Sequence, residues 1–246
     1  MVCRLFYRMF KCHTNFLLTM KLILIRHGQS QWNLENRFTG WTDVDLSDKG
    51  RQEAAEAGRK ILDAGIMPQY YFTSYLKRAI HTLQIAAEAM DREWVPVYKD
   101  WHLNERHYGA LQGLNKADTA LKYGDEQVHI WRRSYDVTPP ALTDDDKRHP
   151  HFDPRYAELT ADELPATESL KLTIERVRGC WEERIVPALR HYGDVMVVAH
   201  GNSLRGLVMM LRHLTPDEVL SLEIPTGTPL VFELDGQLSP VKYYYL

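Results

Sequence analysis

Two apolar runs in this sequence stop on a histidine. "LILIR" at residues 22–26 leads into His27 and Gly28, and "DVMVVA" at 194–199 leads into His200 and Gly201. A lone histidine at a strand end is ordinarily a capping residue. Two matching ends, one with Arg26 beside it, ask for more. In an open parallel sheet ligands bind beyond the carboxyl ends of the strands, so if the two strands are neighbours both imidazoles face one pocket. Histidine next to fixed positive charge suits a phosphoryl group. A neutral imidazole nitrogen can attack phosphorus to give a phosphohistidine, and a guanidinium matches the charge spread over three equatorial oxygens.

Other chemistries fit these residues less well. Zinc sites favour His-x-x-x-His or Cys-x-x-Cys spacings; neither accompanies His27 or His200, and Arg26 would oppose a bound cation, so no metal is expected. "GNSLRG" at 201–206 has Arg205 where a nucleophile elbow needs glycine, and Ser203 reads as a helix-start residue. "GALQG" lacks dinucleotide-fingerprint spacing. His149 and His151 in "RHPHF" read as solvent-facing, and His81, His102, His107 and His213 as surface or hydrogen-bonded residues.

The elements that must hold the two histidines can be read from periodicity. Lys21 to Ile25 is continuous and partly β-branched, a strand buried on both faces. Ser47 caps a helix running to about Ala64, with Ala54, Gly58, Ile61 and Leu62 on one face and Gly65 as its stop. "YYFTS" at 70–74 is a second strand. Leu76 to Met90 is a helix with Leu76, Ala79, Ile80, Leu83, Ala86 and Ala87 inward. A third strand near Val95 to Tyr98 leads into "WHLNERHYGALQG", a shaped loop of the kind that carries function. Residues 114–167 open with a short helix and continue as a proline- and charge-rich insertion, a partly ordered surface excursion. Helical periodicity resumes over Leu170 to Leu189. Alternating strands and helices place the chain in the α/β class.

The totals constrain partners. A chain of 246 residues with formal charge −3 and 26% charged residues suits one α/β domain and advertises neither nucleic acid nor membrane. Three cysteines without metal or disulfide spacing fit a reducing, cytoplasmic setting. The first twenty residues carry Arg4, Arg8 and Lys11 and no acid, which superficially suits a targeting segment. Met20 directly precedes the first strand, and translation from it would remove the extension, the reading favoured here.

"RHGQSQWN" resembles the histidine phosphatase superfamily, and "NRFTGWTDVDLS", "TSYLKRAIHT", "LNERHYGALQG", "WRRSYDVTPP", "AHGNSLRG" and "IPTGTPL" resemble its cofactor-dependent phosphoglycerate mutases. The resemblance covers residues 21–246 and implies a single catalytic domain following the 1–20 extension. Its fold would be three-layered and phosphoglycerate mutase-like, with a mostly parallel central sheet flanked by helices. It implies that His27 accepts and returns the phosphoryl group, that Arg26, Arg78 and His200 surround it, and that Glu105 moves the proton. It carries substrate contacts onto Gly28, Gln29, Ser30, Gln31, Trp32, Asn33, Thr39, Gly40, Arg106, His107, Tyr108, Lys116, Arg132, Arg133, Gly201 and Asn202. Gln29 stands where many relatives have glutamate.

The implied activity is interconversion of 3-phosphoglycerate and 2-phosphoglycerate, primed by 2,3-bisphosphoglycerate as phosphoryl donor. Partners would be small phosphorylated three-carbon acids and a second copy of the chain, a dimer being favoured. The family's C-terminal tail can cover the pocket, although "YYYL" also reads as an edge strand. Alternatives are a phosphatase of the superfamily, a bisphosphoglycerate synthase, whose pattern has glycine for Ser30 and serine for Gly40, and a silent binder of phosphorylated partners.

Overall fold

The computed structural model describes residues 19–246; most of the 1–20 extension lies outside them. In chain order the elements are β1 (Met20–Arg26), α1 (Gln31–Leu34), α2 (Asp48–Asp63), β2 (Tyr70–Thr73), α3 (Lys77–Ala89), β3 (Val97–Lys99), α4 (Lys116–Tyr123), α5 (Asp125–Arg133), α6 (Leu170–Cys180), α7 (Val186–Tyr192), β4 (Val195–Ala199), α8 (Gly201–Arg212), α9 (Pro216–Ser221), β5 (Leu230–Leu234) and β6 (Pro240–Tyr245). The six strands form one sheet in the order β3-β2-β4-β1-β5-β6. β3, β2, β4 and β1 are mutually parallel, and β5 runs antiparallel to both β1 and β6.

The central strands are covered on both faces, as their unbroken apolar runs require. Leu22 and Leu24 of β1, with Val195 and Val197 of β4, pack under α6, α7 and α8 through Val177, Leu189, Leu204 and Leu207. The intervening Ile23, Ile25, Met196 and Val198 pack on the opposite face against Ala57 and Ile61 of α2 and Leu83 of α3. Each such side chain withdrawn from water stabilises the fold by about 1.5–3 kcal/mol. Because β1 and β4 are adjacent and in parallel register, Arg26 opposite Ala199, both strands deliver their next residue, a histidine, to the same edge.

Ser47 caps α2 by accepting from the Gly50 amide, and Gly65 adopts φ +67° just beyond it. Leu62 is 38% exposed rather than inward, and Ile80 is only half-buried; both flank the apolar stripes of their helices. The periodic run from Leu170 is interrupted by a π-helical turn over Trp181–Ile185, followed by α7. Pro187, in the first turn of α7, has no amide hydrogen to give to residue 183, and a wider turn accommodates the loss.

The insertion is more built than its composition suggests. It contributes α4 and α5, and Val128 packs with Phe38 and Leu111. Tyr156 seats against Trp41 and Trp101, whereas Tyr123 and Phe152 of the insertion stay exposed. His149, expected in solvent, is buried at 8% exposure, its ring tilted against that of His151, which is exposed. The chain end is an edge strand: β6 pairs with β5 and the Leu246 carbonyl accepts from Lys60 Nζ at 2.9 Å. Residues 240–246 do not line the cleft described below, so the expected tail cover is not formed by them. Among the described residues no helix is long and apolar enough to cross a membrane.

Candidate active site

His27 follows β1 and lies 3% exposed. Its Nδ1 is 2.7 Å from the Gly28 carbonyl oxygen. A carbonyl can only accept, so Nδ1 carries the hydrogen and Nε2 keeps its lone pair. Arg78 Nε donates to that Nε2 at 3.3 Å. Burial, then the charges of Arg78 and Arg26, hold the His27 pKa well below the ordinary histidine value, against the Gly28 carbonyl, which raises it. The ring is therefore neutral at physiological pH, with its nucleophilic nitrogen directed at a guanidinium.

Arg78 is on the first turn of α3, 1% exposed, and is fixed by donating to the Thr42 carbonyl at 3.0 Å and the Gly40 carbonyl at 2.8 Å. Burial pulls its pKa down to about 10, with Glu105 and Asp43 opposing, so it stays charged at neutral pH. His200 follows β4 directly, with its ring centroid 5.0 Å from that of His27. Its Nε2 meets Ser74 Oγ at 2.8 Å, and burial, then Arg78 and His27, keep it neutral as well. Ser203 accepts from the His200 amide at 3.1 Å, the helix-start role expected of it.

Glu105 is carried by the loop after β3 and is 9% exposed. Its Oε1 accepts from the Arg106 amide at 2.8 Å, the Asn202 amide at 3.2 Å and Asn202 Nδ2 at 2.8 Å. Those bonds fix the carboxyl plane and leave Oε2, which lies 3.7 Å from where a Cβ on Gly201 would stand. The loop is held by Arg176, which donates to the carbonyls of His102, Asn104 and Glu105 and pairs with Glu168 at 2.8 Å. Glu168 in turn accepts from the His107 amide at 2.8 Å.

Arg26, His27, Arg78 and Glu105 open into a cleft lined also by Asn33, Arg37, Phe38, Thr39, Gly40, Tyr108, Lys116, Arg132, Arg133, Gly201, Asn202, Arg205, Glu223 and Ile224; His200, expected to face the same pocket, is fully buried behind His27 and is not part of the lining. Seven of the lining residues are arginine or lysine, against the two carboxylates Glu105 and Glu223. Arg26 Nε, Thr39 Oγ1 and His200 Nδ1 are buried without a hydrogen-bond partner. Buried polar atoms are normally satisfied, and an anion with several acceptor oxygens would satisfy donors of this kind. Among the described residues no group of three or more His, Cys, Asp or Glu is placed to hold a metal ion.

Of the residues expected to contact substrate, Asn33, Thr39, Gly40, Tyr108, Lys116, Arg132, Arg133, Gly201 and Asn202 line the cleft. Gly28, Gln29, Ser30, Gln31, Trp32, Arg106 and His107 do not, and each has a structural contact elsewhere. A Cβ on Gly28 would meet the Gly50 carbonyl at 2.1 Å, so backbone packing alone requires glycine here. The Gln29 amide donates to Glu53, Ser30 caps α1 by accepting from the Asn33 amide, and Gln31 donates to the Leu46 carbonyl. The Trp32 ring packs over Gly113. Arg106 donates to the carbonyls of Trp131 and Arg132 and lies 4.4 Å from the Tyr108 ring. His107 accepts from the Gly109 amide at 3.1 Å. Arg37, Phe38, Arg205, Glu223 and Ile224 join the cleft without having been singled out. Arg205 alone left a usable trace, because it follows Asn202 by three residues and so shares its helix face.

The buried neutral histidines make stability depend on pH. Burial, with His149 and Arg176 adding, lowers His107 to about 3, and His27 and His200 are lowered as well. An unfolded histidine titrates near ~6.5. Below that value the unfolded chain binds protons that the native protein refuses, so stability falls as pH drops, by up to about 1.4 kcal/mol per pH unit for each such group. Urea midpoints are expected to decline from pH 7 to pH 5, and less steeply in His107→Gln. An unchanged slope in that variant would contradict a neutral buried His107; the slope, not the absolute stability, is the readout.

A profile of the histidine phosphatase superfamily (branch 1) matches residues 22–146. Among solved structures, a mycobacterial glucosyl-3-phosphoglycerate phosphatase complexed with VO3 superposes with TM-score 0.68 at 21% identity, covering 92% of this chain and 97% of that one. The alpha-ribazole phosphatase of Shigella flexneri gives 0.67 at 20% identity over 91% and 95% of the two chains. Bacillus stearothermophilus YhfR gives 0.66 at 23% identity over 89% and 93%. At these identities the likeness is one of fold, and it matches the three-layer architecture above.

Proposed function

This chain belongs to the histidine phosphatase superfamily, branch 1, and we propose that within it the protein is a 2,3-bisphosphoglycerate-dependent phosphoglycerate mutase. The observation that carries the reading is the charge of the cleft. Arg26 and Arg78 suffice for one phosphoryl group at His27, yet Arg37, Lys116, Arg132, Arg133 and Arg205 line the same cavity. That surplus suits a substrate with a second phosphate or a carboxylate. The stretches that resemble the mutases supply much of this wall, including Thr39, Gly40, Tyr108, Arg132, Arg133 and Asn202.

The unpartnered buried atoms of Arg26 and Thr39, both of which line the cleft, fit a bisphosphorylated acid, which when bound supplies the phosphoryl group that charges His27. The rest falls to the chain's own residues. His27 attacks phosphorus through Nε2, while its Nδ1 hydrogen, held on the Gly28 carbonyl, shares the positive charge that develops on the ring. Arg78 and Arg26 oppose the charge on the transferring oxygens. A substrate hydroxyl then takes the phosphoryl group from His27 and must lose its proton. Glu105 Oε2 is the base for that step and the acid for its reverse.

The test is a coupled assay of 2-phosphoglycerate formation from 3-phosphoglycerate, with and without added 2,3-bisphosphoglycerate. The primer is expected to raise the rate severalfold or more. Release of inorganic phosphate in place of 2-phosphoglycerate would mean that water is the acceptor and that the protein is a phosphatase.

A further inference from the structure

Of the two carboxylates lining the cleft, Glu105 has a place in the chemistry and Glu223 has none. Glu223 Oε1 lies 2.9 Å from Arg133 Nη1 and 3.7 Å from Arg205 Nη2. The backbone on either side of it is pinned by the cleft's own arginines. Arg205 Nε donates to the Leu222 carbonyl at 2.8 Å, and Arg26 Nη1 donates to the Ile224 carbonyl at 2.9 Å. The segment is therefore fixed at the rim, while the Glu223 side chain itself is 65% exposed and held only by the two arginines.

We propose that Glu223 is an internal competitor for two arginines of the cleft rim: its carboxylate engages Arg133 and Arg205 and has to yield them to the anionic group of a ligand. It thereby sets how much negative charge a ligand must bring. An exposed ion pair is weak, and a dianionic phosphate taking an arginine through two oxygens displaces it readily. A weak monoanion does not, so Glu223 biases the cleft toward doubly charged groups. The inference deepens the reading of this cleft as a site for phosphorylated acids and rests on it.

The experiment is calorimetric titration of the full chain and of its Glu223→Gln and Glu223→Asp variants. The probes are 2,3-bisphosphoglycerate and inorganic tripolyphosphate, the second being a polyanion that owes nothing to the three-carbon assignment. Because Glu223 is exposed and bears no packing, the variants are expected to fold. Glu223→Gln should bind both probes about twofold to fivefold more tightly, with the gain shrinking as salt screens the charges. In turnover the gain should appear in KM more than in kcat. Glu223→Asp, which keeps the charge, should bind within twofold of the unmodified chain. Unchanged or weakened binding in Glu223→Gln overturns the proposal, since weakening means that Glu223 orients Arg133 for ligand. If the unmodified chain binds tripolyphosphate but not bisphosphoglycerate, the mutase reading fails while tripolyphosphate still decides the role of Glu223. Binding of neither probe overturns both.

Discussion

Replacing His27 by alanine is expected to lower kcat by about 10⁴–10⁶, the scale seen when a covalent nucleophile is lost, and to abolish labelling of the protein by 2,3-bisphosphoglycerate. The size of the loss follows from the site having no understudy. His200 is the other imidazole at the same sheet edge, yet its Nε2 is committed to Ser74 Oγ at 2.8 Å, and Arg78 Nε points at His27 Nε2. The phosphorylated chain should show the acid-labile, base-stable linkage of a phosphohistidine, absent from the variant. Because His27 and His200 already resist protonation, label should form at pH 6 nearly as fast as at pH 7.5. Turnover that persists in the alanine variant, or label that remains on it, would remove His27 from the mechanism.

The sheet edge that carries both histidines was legible because two periodic signals coincide there. The apolar runs ending at Arg26 and Ala199 alternate between the two faces of the sheet, and each is followed by a histidine. That pattern needs only local periodicity and one topological assumption, which the parallel pairing of β1 with β4 meets. Gly28 shows the limit of such reading. Its identity was visible but its reason was not, since the backbone it contacts belongs to Gly50, on a helix whose packing no local pattern encodes.

The far wall of the cleft was legible only through resemblance. Arg132 and Arg133 end a polar helix that periodicity alone assigns to a solvated face. What sets them on the cleft, with Arg132 still exposed, is the packing of α5 through Val128 on Phe38 and Leu111, a tertiary fact. Glu223 left no signal at all. It lies on irregular chain between α9 and a single bridge that pairs Thr226 with Arg26, so only the return of the chain to the end of β1 brings it to the rim.

Glu105→Gln is expected to slow phosphoryl transfer from His27 to a hydroxyl, and its reverse, by about 10²–10⁴, the usual contribution of a general acid–base group, while leaving ligand affinity within a few fold. The substitution keeps the shape of the side chain and its bonds at one end. A glutamine carbonyl at the position of Oε1 still accepts from Asn202 Nδ2 and from the Arg106 and Asn202 amides, so the loop and the cleft wall stay in place. What is lost is the oxygen at the position of Oε2, replaced by an amide that neither takes nor gives a proton. The hydroxyl must then attack while still protonated, and the leaving alkoxide must depart unprotonated. Single-turnover measurements separate the cases: rapid mixing of phosphorylated enzyme with 3-phosphoglycerate reads the transfer step, and calorimetry reads binding. Slow transfer with retained binding identifies Glu105 as the proton carrier. Transfer at the unmodified rate would assign that proton to another group, and a loss of binding equal to the loss of rate would make Glu105 a structural prop for Asn202.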